Sequence, residues 1–210
     1  MAAESETFMA LGLSDESSRG GSGTPRVLVL IASVLEKSLQ KNEKLLTTSR
    51  RKDAITIFHG SRSPTLSIRQ YIERVFKYSR CSTSCFVVAY IYINKFLQQT
   101  GASLTSLNAH RLLITSIMVA AKFLDDDQSS ISIFRDWCYD NAYYARIGGV
   151  STAEMNGMEM KFLFNLDFRL HVTAEVFMNC CLKLQNESGE YQNVQANPSS
   201  WPRRRPARQR

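Results

Sequence analysis

The chain has 210 residues, 44% of them hydrophobic, which suits one domain with tails and a sizeable core. Its formal charge is +7, from 26 basic and 19 acidic residues. Five arginines (Arg203, Arg204, Arg205, Arg208 and Arg210) crowd the last eight positions; without them 21 basic residues face 19 acidic ones, too even a balance for the broad basic face of a nucleic-acid module.

Five cysteines (Cys81, Cys85, Cys138, Cys180 and Cys181) match no CxxC or Cys/His zinc spacing. Their odd number points to a reduced intracellular chain. The first residues lack a charged start followed by an apolar core, and Val27–Leu35 is too short to span a bilayer.

In chain order, residues 1–24 are rich in Ser, Gly and Glu and read as a disordered tail. Pro25 suits the first turn of a helix over 26–46, with Val27, Leu30, Ile31, Val34, Leu35 and Leu39 on its apolar face. Residues 47–65 read as a polar loop punctuated by His59-Gly60 and Ser63-Pro64, with Phe58 packing onto the body. Ser67 to Gln70 is a capping box that opens a helix to about Ser79. Ser82 caps the next helix, largely buried, which Gly101 stops. Cys81 and Cys85, four apart with no further ligand type nearby, read as core thiols.

The run Asn108–Asp126 is apolar on nearly every side, through Leu112, Leu113, Ile114, Ile117, Val119, Ala120, Ala121 and Phe123. Such a helix is buried, and the pair Ala120-Ala121 lets neighbours approach closely. Only Arg111, Thr115, Met118 and Lys122 form a stripe that is not oily. Asp125, Asp126 and Asp127 oppose the helix dipole, so they end the helix or face a basic partner. A loop follows, then a short aromatic helix over 139–147 stopped by Gly148-Gly149. A second capping box, Ser151 to Glu154, opens a helix to about Asn165. There Met155, Met158, Phe162, Leu163 and Leu166 share one face, and Glu159 interrupts it. Thr173 opens a last helix to about Gln185, with Val176, Phe177, Cys180 and Leu184 inward; residues 186–210 read as a disordered basic tail. The fold class is all-α.

No glycine-rich phosphate loop, HExxH or GxSxG occurs, and His59, His110 and His171 are scattered. No catalytic site, metal or cofactor is expected. Two charges stand out. A carboxylate on an apolar stripe must pair, face a partner or shift its pKa, and that is the position of Glu159. Lys122 closes the polar stripe of the buried helix. Each has a bland local explanation, Asp126 being an i,i+4 partner for Lys122, but a Lys122–Glu159 bridge or a shared partner accounts for both.

Three stretches carry a resemblance: PTLSIRQYIERVFKYSRCSTSCFVVAYIYINKFL (64–97), HRLLITSIMVAAKFLDD (110–126) and YDNAYYARIGGVSTAEMN (139–156). Together they resemble the U-type, or P-type, cyclins of plants, which are similar to the fungal phosphate-regulon cyclin. The likeness spans residues 25–185. It implies a single five-helix cyclin box, about 67–166, with an extra N-terminal and C-terminal helix. The five box helices would be about 67–79, 82–99, 106–124, 139–148 and 151–165.

By this resemblance Lys122 and Glu159 match the pair that cyclins present to a cyclin-dependent protein kinase, with Asp125, Asp126, Tyr143 and Tyr144 as further partner-binding residues. The family role is activation: the cyclin holds the kinase αC helix inward. The chain departs from the pattern at Asn94 and Lys95, where the family has an Asp-Arg ending, and at Thr65, where the arginine partner of that aspartate would stand. It also carries roughly ten extra residues within 127–138, cheap in loop entropy. The resemblance thus implies a kinase regulator in cell division or phosphate-linked control, in the nucleus and/or cytoplasm, with no membrane, specific nucleic acid or small-molecule substrate as partner. A non-activating kinase adaptor and a cyclin-box nucleic-acid factor are the competing expectations.

Overall fold

The computed structural model describes residues 9, 11–13, 23–48, 54–125 and 140–195. Among these, the regular structure is seven helices: α1 (Arg26–Thr48), α2 (Ile68–Ser79), α3 (Thr83–Thr100), α4 (Ala109–Asp125), α5 (Asn141–Gly148), α6 (Thr152–Asn165) and α7 (Ala174–Gln195). The helix α4 is the axis. Leu112, Leu113, Ile114, Ile117, Met118, Val119, Ala120 and Ala121 are all buried, and α2, α3, α5 and α6 pack around them. The two alanines add no bulk, so the neighbouring backbones approach closely. The helices α1 and α7 pack on each other and both cover α3.

Helix starts follow local chemistry. Both expected capping boxes form: Ser67 and Gln70 open α2, and Ser151 and Glu154 open α6. Ser82 stands at the N-cap of α3 but makes no cap bond; its hydroxyl meets Cys85 Sγ at 3.4 Å. Gly101 and Gly149 end α3 and α5 in left-handed backbone, at φ 65° and 71°. Phe58 is fully buried, edge-on to Phe96 at 5.0 Å and to Phe162 at 6.0 Å, so it pins its loop to α3 and α6. His59 and Gly60 continue the attachment: His59 Nε2 meets Asn108 Nδ2 at 3.2 Å, and the Gly60 N–H donates to Leu107 O at 2.8 Å.

Several expectations need correction. Residues 1–24 are not wholly a loose tail, because Leu11 is fully buried in the core and Gly12 O accepts from Thr83 Oγ1 at 3.4 Å. On α1 the buried face is Val27, Leu28, Ile31, Ala32 and Leu35; Leu30, Val34 and Leu39 are its half-buried margin. The last helix runs to Gln195 rather than Gln185, and Val176 is exposed while Cys181 takes the buried place. The polar stripe of α4 is not an open strip either. Thr115 and Met118 are buried, the Thr115 hydroxyl bonding back to Arg111 O at 2.8 Å, so only the ends of the stripe reach water.

Candidate functional site

The two ends of that stripe both reach α6. Arg111 Nη2 donates to Glu154 Oε1 at 2.5 Å, and Lys122 Nζ donates to Glu159 Oε1 at 2.6 Å. Glu154 also receives the Ser151 N–H and hydroxyl. Those two bonds, and then Arg111, hold its carboxyl down at about 2, from an ordinary 4.5.

The Lys122–Glu159 pair is built into a ring. Lys122 Nζ also donates to Asn141 Oδ1 at 2.6 Å, and Asn141 Nδ2 donates to Glu159 Oε2 at 2.6 Å and to Asn156 Oδ1 at 2.7 Å. The geometry follows from helix placement. Asn141 is the first residue of α5, which Asp140 caps by accepting the Tyr143 N–H at 2.5 Å. Lys122 sits in the last turn of α4, where a cation is favoured by the helix dipole. Glu159 lies between buried Met158 and Phe162 on α6. The side chains of Lys122 and Glu159 are 33% and 15% exposed. Glu159 therefore has most of its hydration replaced by fixed donors, while a third of the Lys122 side chain stays exposed.

An apolar rim follows on the same elements. Phe123, next to Lys122, is 41% exposed; Met160, next to Glu159, is 50% exposed, and Phe164 and Phe168 are more than half exposed. The rings of Phe164 and Phe168 meet edge-on at 5.3 Å. Phe168 is presented by strained backbone, since Asp167 and Phe168 both adopt left-handed φ, 50° and 56°. Two such non-glycine residues cost on the order of 1–2 kcal/mol each, which the fold sustains to turn the chain after α6. Isolated exposed apolar residues are ordinary, but Phe164 and Phe168 in contact, with Met160 one helical turn before Phe164, form a small apolar patch towards the end of α6.

The expected site residues divide. Lys122 and Glu159 come together as a pair. Tyr143 is half-buried, and its hydroxyl donates to Tyr78 O at the end of α2. Tyr144, expected among the partner-binding residues, is fully buried instead, and its hydroxyl meets Cys81 Sγ at 3.0 Å. Asp125 is described by its backbone alone, as the last residue of α4, and Asp126 lies outside the described residues. Asn141, Asn156, Phe164 and Phe168 carry no role in the sequence reading. Only Asn141, a polar residue at the start of an aromatic helix, leaves a signal there.

No helix of the described residues is long and apolar enough to cross a membrane, and they contain no cluster of three or more His, Cys, Asp or Glu placed to hold a metal. The family model described as Cyclin matches residues 26–170. Cyclin-P3-1 of Oryza sativa subsp. japonica is 51% identical over 184 residues, covering 87% of this chain and 74% of that protein. Cyclin-U3-1 of Arabidopsis thaliana is 41% identical over 213 residues, covering 97% and 90%. Cyclin-U1-1 of the same plant is 45% identical over 166 residues, covering 78% and 74%.

Proposed function

Because the chain belongs to the cyclin family, whose members are regulatory proteins rather than enzymes, we propose that it docks and activates a cyclin-dependent protein kinase. The supporting observation is the Lys122–Glu159 pair, fixed by Asn141 and left partly open on two helices that also expose Phe123, Met160 and Phe164. An ammonium and a carboxylate at one spot offer both signs of charge to a helix and its preceding loop, and the aromatic rim supplies apolar contact. In this reading the docked surface holds the kinase αC helix inward, the kinase's own Lys–Glu ion pair forms, and its activation loop opens. The cyclin contributes position and no chemistry. It would act in the nucleus and/or cytoplasm, in cell division or phosphate-linked control.

The test is a mixing experiment with a panel of purified plant cyclin-dependent kinases. The wild-type chain is expected to co-elute with at least one and raise its phosphotransfer rate. Lys122→Glu and Glu159→Lys are expected to lose binding while circular dichroism shows both still helical. Equal retention of the kinase by both variants would place docking elsewhere. Binding without a rise in activity would make the chain an adaptor.

A further inference from the structure

Ser63-Pro64 lies in a stretch that docking leaves unused. Residues 61–67 are all exposed, in irregular backbone between Gly60 and α2. Pro64 steers Ser63 away from helical backbone toward an extended shape, the form in which a protein-kinase cleft takes a substrate segment. The hydroxyl is within reach, since Ser63 Oγ donates to Ser106 Oγ at 2.6 Å in an exposed contact. The Ser106 N–H donates to Glu43 Oε1 at 2.9 Å, so a carboxylate of α1 stands one residue away. Thr24-Pro25 is no comparable acceptor, because Thr24 is half-buried and its hydroxyl points to Glu73 Oε1 at 3.4 Å.

The same loop touches the docking face. A Cβ placed on Gly157 would lie 3.3 Å from Ile57 Cδ1, so Ile57 rests on the side of α6 that carries Met160 and Phe164, three and seven residues on from Gly157. Ile57 is still 46% exposed and Ile55 is 87% exposed, which extends the apolar rim onto the loop.

We infer that Ser63 is a phosphoacceptor for a proline-directed serine kinase, and that phosphate there weakens docking of the partner kinase. The second half rests on the docking reading above. In the transfer, the bond from the γ-phosphorus of a nucleoside triphosphate to its bridging oxygen breaks, and a new P–O bond forms to Ser63 Oγ. The serine proton leaves to the modifying kinase's base, and the nucleoside diphosphate departs. Ser63 Oγ then has no proton to donate to Ser106. About −1.5 to −2 charges arrive beside Glu43. Among the described residues, Arg111 gives an Nη2 N–H to Glu154 at 2.5 Å, which offsets much of its charge, and Arg62 is exposed and screened by water. Repulsion loosens the loop, and the seat of Ile57 on Gly157 loosens with it.

The test incubates the full chain with a purified proline-directed serine kinase and ATP, maps phosphate by mass spectrometry, and measures binding to a cyclin-dependent kinase that the unmodified chain retains. Phosphate is expected on Ser63 of the wild type and absent there in Ser63→Ala and Pro64→Ala. Pro64→Ala keeps the hydroxyl, so its unmodified binding should equal wild type and report an intact fold. Phosphorylated wild type is expected to bind on the order of 5–10-fold more weakly, and Ser63→Ala treated identically to bind in full. No phosphate at Ser63 overturns the acceptor assignment; phosphate with unchanged binding overturns the regulation. If no kinase binds even the unmodified chain, the docking reading fails and takes the regulatory half with it, while the mapping still decides the acceptor.

Discussion

Replacing Lys122 by Ala removes one corner of the Lys122–Glu159–Asn141 ring. At 2.6 Å, two unit charges attract by roughly 6 kcal/mol at an effective dielectric of 20 and roughly 1.6 kcal/mol in bulk water. Lys122 is a third exposed and Glu159 only 15%, so the gross attraction lies between those limits. Desolvation of the carboxylate offsets much of it, and Asn141 still bonds Glu159 after the change. The net loss should be about 1–2 kcal/mol, read as a fall in Tm of roughly 2–8 °C for a body of this size. A double-mutant cycle with Glu159→Ala isolates the pair and should give a coupling near the same 1–2 kcal/mol. Kinase affinity should fall further than stability, by more than about tenfold, because a central docking residue typically contributes 2 kcal/mol or more. A coupling indistinguishable from zero would show that the ring contributes nothing as a pair. Kinase affinity unchanged in Lys122→Ala would remove it from the docking face.

Three further outcomes are expected. Phe58→Ala should cost about 3–5 kcal/mol in chemical denaturation, since the ring is fully buried against Phe96 and Phe162; a loss under about 1 kcal/mol would mean the loop is not pinned there. Gly148→Ala should cost about 1–3 kcal/mol, because the new Cβ would lie 2.8 Å from Ile114 Cγ1 and 3.2 Å from the Tyr71 hydroxyl; an unchanged Tm would contradict that crowding. Glu154, depressed from an ordinary 4.5 to about 2, contributes stability that is present above pH 4.5 and lost as pH falls through 2. Glu154→Gln keeps a capping side chain and should flatten that acid limb, so superimposable pH–stability curves would refute the assignment.

The helices were legible wherever local chemistry marked them. Ser67 to Gln70 and Ser151 to Glu154 announce their own starts, and the all-round apolarity of 112–121 marks α4 as the axis. Lys122 and Glu159 could be suspected because a charge on an apolar face needs a reason. Asn141 could not be assigned, since its role depends on α5 being set across the gap between α4 and α6, a tertiary fact. Tyr144 entered through the resemblance alone, and a shared motif does not show which ring of the Tyr143-Tyr144 pair the core takes; Tyr143 is half-buried and Tyr144 fully buried. Thr115 and Met118 misled differently: a stripe drawn on one helix does not show which parts its neighbours cover. Phe168 gave no warning because its exposure depends on left-handed backbone at two residues that are not glycine.

The mutual packing of α1 and α7 over α3 has a practical consequence. A fragment trimmed to residues 67–166 would keep all five box helices yet strip Val27, Leu28, Ile31 and Leu35 from one side and Cys181 and Leu184 from the other. The flank of α3 would then be bare hydrocarbon in water, so such a fragment should be less stable and more prone to associate than the seven-helix body, to which Leu11 adds one more buried side chain.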